Sequence, residues 1–138
     1  MGMLGRDELL VKEELTIERV DLDKGDFCFV RQMTGRERDR FDQSLMEAKT
    51  DKTGKTTYER NLADFRAKLA VNTLCDEDGK NLLTPQDIGT LSQNMSAARL
   101  EKIMNRAQEL NKITEEDKEN LVKNSEGDQA EDSNSDSA

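Results

Sequence analysis

The stretch YERNLADFRAKLAVNTLC, residues 58–75, constrains the fold more than any other part of the chain. Tyr58, Leu62, Phe65, Leu69 and Leu74 recur at helical intervals, and Ala70, Val71 and Cys75 widen the stripe. That pattern predicts a helix buried along one broad face, the central core helix of the fold. A second stripe, Leu100, Ile103, Met104, Ala107 and Leu110, follows a Ser96 cap and predicts a helix over 97–111.

Upstream, LTIERVDL (15–22) and DFCFVRQM (26–33) flank DKG, whose Gly25 tolerates positive φ, so an antiparallel hairpin is expected. The second strand carries Phe27 and Phe29 on one face and Cys28 and Val30 on the other, which makes it the more buried of the two. In the first, the alternation slips between Ile17 and Val20, which suggests a bulge or an imprecise register. In TGRERDRFDQSLMEAK, Thr34 and Glu37 have capping-box spacing, predicting a helix over 35–48 with Phe41, Leu45 and Met46 on one side. KTDKTGKTT (49–57) has no large apolar residue and reads as a mobile loop. RDELLVKEEL suggests a short helix before the first strand.

DEDGKNLLTPQD (76–87) has the acids and glycine of a calcium loop but not their order. With Gly79 at the sixth position, the first falls on Leu74 and the twelfth on Pro85, neither of which supplies the required carboxylate. The segment reads as a connector: a polar turn through Gly79, Asn81–Leu83 returning to the core, then Thr84 capping a helix over 85–92 with Pro85 first and Asp87 at its positive end. Ile88 and Leu91 anchor that helix. Thr114 repeats the cap signal before a helix over 115–123 whose only apolar pair is Leu121 and Val122, a face too small to hold it alone.

Composition narrows the function classes. The chain has no histidine, which removes the commonest general base and metal ligand; its two cysteines, Cys28 and Cys75, form no metal or redox spacing and are expected as buried free thiols. Net charge is −9, but residues 124–138 hold five acids and no base, leaving 25 acids against 21 bases in the first 123 residues, a net of −4. A mildly acidic body does not suit phosphate backbones, so no nucleic-acid partner is expected. No apolar run is long enough for a membrane span, and MGMLGRDELL lacks the pattern of a secretory signal. TGKTT (53–57) ends like a phosphate loop, but Lys49 stands where the earlier glycine belongs. In GRERDRF, acids interleave with Arg36 and Arg40, as on a solvated helical face. Met46, Met95 and Met104 are available either for core packing or for an adaptable groove.

The expected fold is therefore α+β and mainly helical. A flexible leader (1–6) precedes a single domain (7–123), in which an N-terminal antiparallel β-hairpin (15–33) packs on about five helices (35–48, 58–75, 85–92, 97–111 and 115–123). An acidic tail (124–138) is expected to be disordered. No catalytic, cofactor or metal site is expected, and the role is one of interaction.

The order of these segments carries a resemblance. The hairpin entering VRQMTGRERDRF, the helix ending VNTLCDEDGKNLLTPQDIGTL and the closing LEKIMNRAQELNKIT together resemble the tail assembly chaperones of long, non-contractile-tailed bacteriophages and prophages, over about residues 7–113. The resemblance implies a non-enzymatic protein of viral morphogenesis in the host bacterial cytoplasm, absent from the mature virion. It implies binding to the tape measure protein, which such chaperones keep soluble, help in recruiting the tail tube protein, and self-association into an oligomer. It also implies a short form and a frameshifted longer form, with residues 124–138 as the short form's tail or a linker. A permanent phage component, such as a head–tail connector or tail terminator, is the alternative. Leu100, Ile103, Met104, Leu121 and Val122 are the candidate partner-binding residues, because the last two helices have the least secure place in the core; inward packing of the first three is the competing expectation.

Overall fold

The computed structural model describes residues 2–113 of the chain. Helix α1 (Arg6–Leu10) buries none of its residues and leads into strand β1 (Ile17–Asp21). The chain turns through Asp23–Gly25 into β2 (Phe27–Arg31), with Lys24 and Gly25 both at positive φ (59° and 81°). Pairing runs from Ile17↔Arg31 to Asp21↔Phe27 without a break, so neither a bulge nor an imprecise register is present near Ile17: the slip in apolar pattern is absorbed by half-exposed side chains on an edge strand. β2 is the middle strand and the more buried one, as the hairpin pattern implied; its other edge pairs with β5 (Leu74–Cys75).

Helix α2 (Gly35–Ser44) opens on the Thr34–Glu37 capping box: the Glu37 amide donates to Thr34 Oγ1 at 3.2 Å, and the Thr34 amide donates to Glu37 Oε1 at 2.9 Å. It stops sooner than the predicted 35–48. Residues 46–50 leave the helix as strand β3 (Met46–Thr50), paired antiparallel with β4 (Thr56–Arg60). The segment expected to be a mobile loop is the tip of this second hairpin. Its turn is closed by Asp51, whose carboxylate accepts from the amides of Thr53 (2.9 Å) and Lys55 (3.0 Å), with Gly54 at φ 87°. The β-branched threonines on either side favour extended pairing over the helix that Glu47, Ala48 and Lys49 would otherwise favour.

The predicted core helix 58–75 is shorter as well. Helix α3 spans Phe65–Thr73; Tyr58 and Leu62 are exposed, one in β4 and one in the connection. At the other end Thr73 Oγ1 donates to the carbonyl of Leu69 (2.8 Å), and Leu74 and Cys75 turn extended to complete the sheet. The shortened helix remains central. Leu69 packs with Met33, Phe41, Leu45 and Met104, while Ala70 packs with Val20, Val30, Leu100 and Ile103, so α3 joins the two halves of the core.

Asp76–Lys80 forms the expected polar turn: Asp76 Oδ1 accepts from the amides of Asp78 (2.8 Å) and Lys80 (2.9 Å), and Gly79 sits at φ 88°. Beyond it Leu83 reaches the core edge, but Leu82 is exposed, contrary to the reading that both return inward. A 3-10 turn over Pro85–Asp87 precedes α4 (Ile88–Asn94), and Ser96 caps α5 (Ala97–Leu110) by accepting from the Arg99 amide at 3.2 Å. The helix expected over 115–123 and the tail over 124–138 lie outside the described residues.

Candidate interaction surface

α4 is too short to bury both of its sides. Leu91 and Met95, four residues apart on α4 and its C-terminal cap, pack one side against the core and present the other to an open groove with Leu83. The groove holds about 430 Å³; Asp87, Thr90, Asn94, Ser96 and Arg99 form its polar rim. That volume takes the anchoring side chains of a partner rather than a whole helix, and an apolar floor with a polar rim is the arrangement that receives an amphipathic helix through residues at i, i+3 and i+4.

The rim is held in place. Arg99 Nη2 donates to Asp23 at 2.7 Å and to Asp26 at 3.4 Å, fastening the tip of the first hairpin to the start of α5. The hydrogen bond from Arg99 and the local backbone amide hold the Asp23 carboxyl below its ordinary range. Asp87 accepts from the Thr84 amide at 2.8 Å and so fixes the entry to α4, while Ser92 Oγ donates to Asp64 at 2.7 Å, tying α4 to the start of α3.

A second polar cluster has a structural role. Arg31, 6% exposed, donates to both carboxylate oxygens of Glu37 (2.9 and 2.7 Å), to Asn81 Oδ1 (2.9 Å) and to the Gln32 carbonyl (2.8 Å). It joins β2, α2 and the loop after β5. Hydrogen bonds from Arg31, aided by the Thr34 amide, hold the Glu37 carboxyl down at about 2.

The structure separates the five residues chosen from sequence. Leu100, Ile103 and Met104 are buried at 4%, 1% and 7% exposure, with α5 facing inward across α3, and Leu121 and Val122 lie outside the described residues. Of the three methionines, Met104 packs in the core, Met46 is half-buried in the second hairpin, and Met95 lies in the groove. The sequence makes Leu91 an anchor of its helix and returns Leu83 to the core; the structure leaves both at the groove, and the signal for it is that a helix as short as α4 cannot hide a Leu91–Met95 pair completely.

The other sequence motifs are absorbed by local structure. The amides of the TGKTT turn are engaged by Asp51, and Gly54 there serves a hairpin rather than a phosphate. GRERDRF lies in α2, where Arg38 pairs with Asp42, one residue beyond the motif, at 3.3 Å. Among the described residues no cluster of three or more His, Cys, Asp or Glu is placed to hold a metal ion, and no helix is long and apolar enough to cross a membrane. Burial raises the pKa of both free thiols, Cys28 and Cys75.

Among solved structures, the bacteriophage HK97 tail assembly chaperone is similar to this chain. The likeness covers 70% of this chain and 85% of that chain, at 14% sequence identity and a TM-score of 0.48. No protein-family model and no curated protein matches the chain.

Proposed function

We propose that this chain is a tail assembly chaperone of a long-tailed bacteriophage or prophage, a non-enzymatic protein that binds the tape measure protein in the host cytoplasm and keeps it soluble. It then helps to recruit tail tube subunits and is absent from the finished particle. The observation that carries the reading is the open groove floored by Leu83, Leu91 and Met95, on a chain whose segments follow the order of that family over about residues 7–113. A long helical client exposes apolar stripes that aggregate; burying their anchoring side chains in such a groove removes apolar area from water at about 25 cal/mol per Å². Copies bound side by side add avidity, and a net charge of −9 keeps coated clients apart.

Coexpression with the tape measure protein of the same phage or prophage tests the proposal. The client should move from the insoluble to the soluble fraction only when this chain is present. Unchanged client solubility contradicts the reading, and so does recovery of this chain in purified tails.

A further inference from the structure

We infer that the β3–β4 hairpin is the interface through which two copies of this chain pair, β3 against β3, into a four-stranded antiparallel sheet. The hairpin stands apart from the main sheet as a two-stranded unit, and nearly all of β3 is exposed. Two strands alone are marginal in water, whereas three or more hold together. Among the described residues β3 is paired on one edge only.

Backbone parity and charge together select one partner and one register. Asp51 N–H bonds to the Lys55 carbonyl (2.9 Å) and Asn61 N–H to the Leu45 carbonyl (2.6 Å), so the odd-numbered residues of β3 bond to β4. The N–H and C=O groups of Met46, Ala48 and Thr50 therefore point from the free edge. Antiparallel pairing about a two-fold axis at Ala48 bonds these groups to each other and sets Glu47 of each copy opposite Lys49 of the other. Those positions form the non-hydrogen-bonded pairs, where side chains come closest. A slip of two residues sets Glu47 on Glu47 or Lys49 on Lys49, and a slip of one misaligns the backbone groups. The edge of β4 offers no such match, since an axis at Tyr58 sets Glu59 against Thr57 and Arg60 against Thr56.

The second copy also supplies what the hairpin lacks. Glu47 lies directly across from Glu59, a like-charge pair. Lys49 Nζ serves Glu59 at 2.9 Å, while Glu47 has a hydrogen bond from Asn61 (3.2 Å) and no salt bridge among the described residues. In the dimer it gains the partner copy's lysine. The opposite face, with Met46, Ala48 and Tyr58 in a row, becomes twice as long. The pairing gives a surface to the self-association in the proposed function and rests on that reading for its purpose alone.

Sedimentation velocity of the full chain without client, over a concentration series at low and high salt, tests it. The wild type should form a reversible dimer that weakens with salt. Glu47→Lys improves the hairpin internally, by facing Glu59, but opposes Lys49 of the second copy twice over; it should weaken the dimer about tenfold or more. The double swap Glu47→Lys with Lys49→Glu should return the dimer to within about threefold of wild type, since the cross-copy pairs are again opposite in charge. A wild type that stays monomeric, a dimer indifferent to Glu47→Lys, or a double swap that does not restore pairing each overturns the interface. Because no client is present, these results are separable from client solubilisation, which stands or falls in its own assay.

Discussion

The guanidinium of Arg31 grips both oxygens of the Glu37 carboxylate, at 2.9 and 2.7 Å, and the same carboxylate receives the Thr34 amide that opens α2. One side chain thus caps a helix and neutralises a nearly buried cation on the central strand. Glu37→Ala leaves Arg31 buried without its charge partner and should lower unfolding free energy by about 3 kcal/mol, read by urea denaturation. Glu37→Gln, which keeps hydrogen-bonding capacity without charge, should cost less.

The same pair sets a pH dependence. The Glu37 pKa falls from 4.5 to about 2 on folding. A depressed folded pKa contributes stability that is complete above the unfolded value and disappears as pH falls through the folded one. Melting temperature should therefore decline between about pH 4.5 and 2, and the decline should be shallower in Glu37→Gln; Asp23 and Asp76, also held low, shift the curve in the same direction.

Gly79 joins the turn after β5 to the first strand. Its φ is 88°, and an added Cβ would lie 3.1 Å from Ile17 Cδ1. Gly79→Ala should cost about 1–2 kcal/mol through backbone conformation, since a flexible side-chain end can give way and a positive φ cannot. The measurement is again equilibrium unfolding, with Gly2→Ala, which meets nothing within 4 Å, as the neutral control.

Leu100 and Ile103 act inside the body of the protein. Leu100→Ala and Ile103→Ala should each lower stability by about 2–5 kcal/mol, as cavities in a packed core do. Any loss of client binding in these variants should follow the fraction unfolded, so lowering the temperature should recover it.

Legibility in the sequence followed the range of the interactions. The Thr34 and Ser96 caps, the Gly25 turn and the α5 stripe are decided within a few residues, and all stand where the pattern placed them. Residues 46–60 did not read correctly because Glu47, Ala48 and Lys49 favour a helix, and only the Asp51–Gly54 turn and the threonines across from them settle the hairpin. Leu74 and Cys75 continue the α3 stripe in sequence, yet the exposed edge of β2 claims them as a strand, a demand that no local pattern records. Leu100, Ile103 and Met104 pack inward for a related reason. They form the strongest apolar stripe, and a strong stripe is the first to be buried; what remains at the surface is the side of α4 that a short helix cannot cover.

The groove gives the account its most direct test. Met95→Glu places a charge on its floor, and Thr90→Arg fills its exposed rim; both proteins should remain folded by circular dichroism. Coexpressed with the tape measure protein proposed as client, each should leave that protein's soluble fraction near the level seen without this chain, while the wild type raises it severalfold. If both folded variants solubilise the client as well as the wild type does, the surface between α4 and α5 is not where the client is held.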